Sequence, residues 1–472
     1  MINIDRAIYL RAALVGAALL CVRLISTDFA RGTTTEQHPY LIFVGALMLG
    51  GCIWASLIPL IKLTVLPNAT GRLILIIFAI GLGFRALFFG STPIYEDDWN
   101  RYLWDGYTAV QGINPYFYSP EQIQYAPAGS DDDLSKLSQL SANNGNFVTR
   151  INSPEYTTIY PPLAIAVFAL ASVIDPLNLD VLRVLFWLSE ALTMFLMVKA
   201  LSVFGRSPLW MVLYALNPLI IYAGINAAHM DVLLLPFLLA CLILIKTRPC
   251  WASVALSCAA AVKIWPLLLA PVLFRSWLTR PKTYIASAIF TAGLSLALLI
   301  PLLLALGGAS GTTAYAASWQ RNTYLFPLID QAIGLTTGRW STSARIVIAL
   351  LCIGLSLWLG LKPLLNRHHP PALLNALPQH LLLLTLVFFL LSPTGFPWYL
   401  IWLFAFFPFA PHYSVAALTV MLPIYYLRYA IGEQYNYILF TDWLIPLQFG
   451  VPIGLLLLEL SRGYWKDSYA PY

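Results

Sequence analysis

Residues 95–116 read YEDDWNRYLWDGYTAVQGINPY, a run dense in charge inside a chain that otherwise avoids it. Of 472 residues, 59% are hydrophobic and only 10% charged, and the mean hydropathy is +0.75. That composition lies far outside the soluble globular range and predicts an all-α, polytopic membrane bundle. The stretch follows an apolar segment ending near Phe89, so Glu96, Asp97 and Asp98 stand just past a membrane edge. If it is helical, the three- and four-residue spacings put Asp98, Arg101, Tyr102 and Asp105 on one face. A carboxylate beside a cation and ring hydroxyls at a water-lipid boundary suits removal of a proton from a sugar hydroxyl.

Upstream, apolar runs near 8–29, 39–61 and 72–90 are each long enough to cross a hydrocarbon core, which takes about 20 helical residues. Arg6 precedes the first, and Lys62 and Arg72 flank the link between the second and third. Positive residues favour the inner side, so the N-terminus is expected in the cytoplasm and 91–159 forms a first large extracytoplasmic loop. The initial apolar run is interrupted by Arg11 and Arg23 and lacks a convincing cleavage site, which makes it a retained helix rather than a signal peptide. The run 160–174 is short, starts at Pro161 and Pro162, and ends near Asp175 and Asp180. A surface or re-entrant path keeps those acids outside and Lys199 and Arg206 inside.

Downstream, apolar segments alternate, with a second outer loop at 307–343, for about 12–14 spans in a single integral domain over 1–472. The six cysteines form no CxxC pair and avoid the long polar loops, so neither a disulfide framework nor a zinc site is indicated. The net charge of +6 reports orientation before partners in such a protein, and nothing supports nucleic-acid binding.

The polar residues left after subtracting inner anchors gather on the outer side. Ionisable groups within a membrane cost about 2.5–3.5 kcal/mol each on insertion scales, which makes them functional candidates. Asp97 and Asp98 are the catalytic candidates, against a plainer role as helix caps. Lys263, Arg321 and Arg101 are candidates for a donor phosphate, and Tyr102, Trp104, His229, Asp231 and Tyr399 for substrate binding. The plainer roles are snorkelling for Lys263, hairpin capping for His229 and Asp231, and an interface belt for Tyr399. No metal ligand set is assigned and no cofactor is firmly implied, although a divalent cation is compatible with the acids.

The blocks DDWNRYLWDG, GINPY, TIYPPL, NPLIIYAGINAAHMD, AVKIWPLLLAPVL and LLSPTGFPWYLIW, in that order between about Tyr95 and Trp402, resemble polyprenyl-phosphate-sugar-dependent glycosyltransferases of the GT-C fold, in the bacterial mannosyltransferase-like branch. The resemblance implies a catalytic base at Asp98, with Asp97 sharing or replacing that role. It also implies transfer of mannose, or a similar hexose or pentose, from a polyprenyl phosphate to a hydroxyl of a glycan or glycolipid, with inversion. The place implied is the outer face of the cytoplasmic (inner) membrane, in cell-envelope glycan synthesis. Three spans before the acidic loop depart from the commoner single span. The rivals are a transporter or flippase of lipid-linked glycans, expected to show related halves, and a glycan ligase or polymerase.

Overall fold

The computed structural model describes residues 4–29, 38–63, 71–127, 129–307, 310–337, 341–366, 376–431 and 436–465. Residues 308–309 and 338–340 of the expected second outer loop thus lie outside the described residues. The described chain is helical, with no strand and a single isolated bridge between Arg321 and Thr394. The helices used below are α1 (Ile4–Ile25), α2 (His38–Ala55), α3 (Gly71–Ala86), α4 (Asp98–Val110), α5 (Pro162–Ile174), α6 (Leu179–Val203), α7 (Pro249–Val262) and α8 (Pro281–Leu304).

Among the described residues, six helices are long and apolar enough to cross a membrane: Ile4–Phe29, Pro39–Lys62, Leu179–Val203, Pro281–Leu304, Thr342–Lys362 and Ile438–Ser461. A further apolar pair, Pro208–Ala215 and Pro218–Asn226, is bent by 58° and has the form of a broken span or a re-entrant loop. Other expected crossings are made of shorter pieces such as Met230–Leu244, Pro249–Val262 and Leu377–Leu391. Prolines explain much of this, since each removes a backbone donor and blocks the preceding turn. Pro397, Pro408 and Pro423, for example, stand in successive 3-10 turns. α5 has 13 residues, or about 20 Å at 1.5 Å per residue, too short for a core of about 30 Å.

Breaking a helix inside a membrane leaves carbonyls without donors, and here a buried arginine supplies them. Pro218 has no N–H for the Tyr214 carbonyl. Arg85 of α3 reaches it with Nη2 at 3.4 Å and donates Nη1 to the Ala215 carbonyl at 2.9 Å. The same guanidinium pairs with Glu190 of α6, both side chains being fully buried. A second buried arginine, Arg183, secures the end nearer the acidic stretch. It donates to the carbonyls of Ile225 (2.8 Å), Asn226 (2.7 Å) and Ser91 (2.8 Å).

These bonds fix the entry to the acidic stretch. Asn226 accepts from the Ile94 N–H at 3.0 Å and donates to Ser91 and Thr92, while the Tyr222 hydroxyl donates to the Ile94 carbonyl at 2.6 Å. Tyr95 then turns the chain with φ +64°, a left-handed conformation unusual for a bulky residue. Its ring is stacked between Tyr429 (4.3 Å) and Tyr40 (4.6 Å), with Phe29 at its edge. The first two helices therefore supply one wall around the turn that launches α4. α4 lies on α5, and a Cβ at Gly106 would collide with the Phe168 carbonyl. Further along the loop, Asp131 caps the helix Asp132–Asn143, accepting from Leu134 N–H at 2.9 Å.

Candidate active site

At the start of α4, Asp97 holds the N-cap position, yet its side chain makes no capping bond. Asn152, 54 residues further on, donates its amide to both acids instead, at 2.7 Å to Asp97 and 2.9 Å to Asp98. One NH2 group has two protons, so it can hold two carboxylates that would otherwise repel. Burial and the Asp97 charge push the Asp98 carboxyl up to about 6, against the pull of Asn152, Arg101 and Lys263. About a quarter of its side chain remains open. A carboxylate so placed is ionised at neutral pH yet far more basic than a free aspartate.

The expected helix face forms, with distinct tasks along it. Arg101 is buried and donates to the carbonyls of Tyr156 (3.0 Å), Asn152 (2.8 Å) and Ser153 (3.0 Å). It therefore anchors the loop that presents Asn152, and its forked nitrogens are taken up there rather than open to a phosphate. Asp105, one turn on, is pushed up to about 7 by burial, against Arg101 and a hydrogen bond from Thr158. Tyr102 stacks on Phe168 at 4.6 Å, and its hydroxyl meets that of Tyr160 close to Asp98. Trp104 is not brought to the site: it is 3% exposed and packs on Phe147.

Opposite lies a second charged group. Asp231 accepts from Lys263 Nζ at 2.6 Å and from Trp402 Nε1 at 2.5 Å. The ammonium sits 4.3 Å from the centre of the Tyr399 ring and 4.8 Å from that of Trp402, rings that stack at 4.1 Å. Tyr315 joins its hydroxyl to Tyr399 (2.7 Å) and Thr394 (2.9 Å). The segment 392–395 is held to the second loop by Arg321 N–H to Pro393 O and Gly395 N–H to Arg321 O, both 3.0 Å. The Arg321 side chain itself is exposed and bonds only the neighbouring Gln320 carbonyl, at 3.2 Å. Lys263 acts on Asp98, and the charges of Asp98 and Asp231 both act on Tyr315 and Tyr399. The two groups thus lie within electrostatic reach of each other.

His229 lies beside two of the acids. It is fully buried, not at an exposed hairpin, and makes no capping bond. Its ring stacks on Trp398 at 4.0 Å and 9°, with Nε2 3.4 Å from Glu96 and Nδ1 3.9 Å from Asp98. Among the described residues, no group of three or more His, Cys, Asp or Glu side chains is arranged to hold a metal ion.

The described residues make a multi-pass membrane protein in which acidic and aromatic side chains gather around Asp98 and Asp231. The MptA_B family model, described as alpha-(1->6)-mannopyranosyltransferase, N-terminal domain, matches residues 8–279. This is more than half of the chain, which belongs to that family. The protein is accordingly a membrane glycosyltransferase of the mannosyltransferase class and GT-C type. No curated protein and no solved structure matches it.

Proposed function

We propose that the chain moves mannose, or a similar sugar, from a polyprenyl phosphate to a hydroxyl of a glycan or glycolipid on the extracytoplasmic face of the cytoplasmic membrane. Asp98 takes the proton of the acceptor hydroxyl as its oxygen attacks the anomeric carbon opposite the leaving phosphate, so the anomeric configuration inverts. The phosphate departs as a stable anion and needs no general acid. Lys263 and the exposed Arg321 supply the compensating positive charge. Asp231 holds Lys263 and, with Tyr399 and Trp402, offers polar and stacking partners to a sugar ring. Asp97 raises the basicity of Asp98. The loops 91–159 and 307–343 are both extracytoplasmic in this account, and 1–472 acts as one domain.

The observation that carries the proposal is the Asp98 carboxylate itself: tied to Asn152, raised by its surroundings, partly open, and within electrostatic reach of Lys263. Asp98→Asn keeps the side-chain shape and removes the base. The expected result is a loss of transfer of about 100- to 10,000-fold, with lipid-donor binding retained. A well-folded variant transferring near the wild-type rate would place the base elsewhere, Asp97 being the first alternative.

A further inference from the structure

The roles given so far leave Glu96 and His229 unused, although both are buried at the heart of the molecule. Glu96 is 9% exposed and His229 0%. Neither nitrogen of His229, nor Glu96 Oε1, has a hydrogen-bond partner of normal length. Yet the imidazole stands between the two acids, 3.4 Å from Glu96 on one side and 3.9 Å from Asp98 on the other, its plane fixed by Trp398. Buried polar atoms without partners are rare and costly. They persist where a site uses them.

The geometry points to a positioning relay: Glu96, protonated, donates to His229 Nε2, and the neutral imidazole thereby presents Nδ1–H to Asp98 Oδ2. Asn152 holds the other oxygen, Oδ1, so the two donors set the carboxylate plane and leave a lone pair for the acceptor hydroxyl. Hydrogen bonds of this kind tighten when substrate is bound. The opposite arrangement, an ionised Glu96 with an imidazolium, is disfavoured. Burial together with Asp98 and Asp97 drives Glu96 toward its neutral form against a hydrogen bond from Tyr426, and burial together with Lys263 does the same for His229. The remaining groups around the relay are Tyr222, Tyr425, Tyr426 and Tyr429 beside Glu96, and Arg101, Tyr102 and Tyr160 beside Asp98. None of these supplies His229 with a donor.

This inference rests on Asp98 being the base, and the test separates the two. Steady-state transfer is measured against pH for Glu96→Gln, Glu96→Ala, His229→Asn, His229→Leu and Asp98→Asn. A glutamine amide donates to Nε2 as a protonated glutamate does, and an asparagine amide nitrogen stands in for Nδ1. Glu96→Gln and His229→Asn are therefore expected within about threefold of wild type, since each preserves the donated bond. Glu96→Ala and His229→Leu should lose about 10- to 100-fold, the usual effect of removing an outer-shell partner. Their acid limb should move up by about half to one pH unit, because a donor to a carboxylate favours its ionised form. An inactive Glu96→Gln rescued by Glu96→Asp, or a His229→Asn as impaired as His229→Leu with an unmoved acid limb, overturns the relay while leaving the base in place. An active Asp98→Asn overturns both.

Discussion

Asp98→Asn should make the protein more stable at neutral pH while stopping transfer, and the sign of the stability change separates a catalytic carboxylate from a helix cap. The Asp98 carboxyl titrates near 6 in the folded protein against a usual 3.8. Each pH unit corresponds to about 1.36 kcal/mol, so the ionised group opposes folding by at most about 3 kcal/mol. Partial exposure of the side chain brings the expectation to about 1–3 kcal/mol. Because the folded value is raised, stability from protonating Asp98 is fully present below about pH 4 and is lost as pH rises through about 6. The asparagine stays neutral throughout and can still accept the Asn152 amide. Thermal unfolding in detergent should thus find the variant more stable at pH 7.5, with the gap closing by about pH 4. A capping role predicts the reverse, a loss of about 1 kcal/mol with activity retained in whatever folds. A less stable Asp98→Asn at pH 7.5 would refute the electrostatic account of this site.

Asp97→Asn removes the charge that helps lift Asp98, so the acid limb of kcat/KM, expected near pH 6 in wild type, should move down in a pH-rate profile. Lys263→Met should do the opposite, raising that limb while lowering the rate, and should destabilise the fold by about 1–3 kcal/mol because Asp231 is left buried without its cation. Denaturation and pH-rate measurements on one preparation check both effects. For topology, single cysteines at Ser130 and Asp175, in a background lacking the native cysteines, should react with an impermeant reagent on whole cells, and one at Ser207 should not. Labelling at Ser207 with protection at Asp175 would mean that α5 crosses the membrane.

The membrane class, the helix opening at Asp98 and the shared face of Asp98, Arg101, Tyr102 and Asp105 were legible because composition and three- and four-residue spacing are local properties. Asn152 was not, since a lone amide in a long polar loop has no periodicity to mark it, and its partners lie more than 50 residues away. Arg101 reads from sequence as a free cation beside acids; only the folded loop reveals the carbonyls that take up its guanidinium. Trp104, one residue from Asp105, looked equally close to the site, but the helix turns it toward Phe147. Tyr399 reads from sequence as an interface residue, whereas the Pro393–Pro397 break stacks it on Trp402 beside Asp231 and brings Trp398 onto His229. Glu96 was visible as an acid, but its pairing with His229, 133 positions away, belongs to tertiary structure alone.

The identity of the sugar donor tests the central claim most directly. Purified protein in lipid would be given mannose as a polyprenyl phosphate or as a nucleotide diphosphate, with an acceptor glycan, and the anomeric configuration of the product determined. The account predicts transfer from the lipid phosphate only, with inversion at the anomeric carbon. Robust transfer from the nucleotide sugar without any lipid phosphate, or retention of configuration, would contradict it.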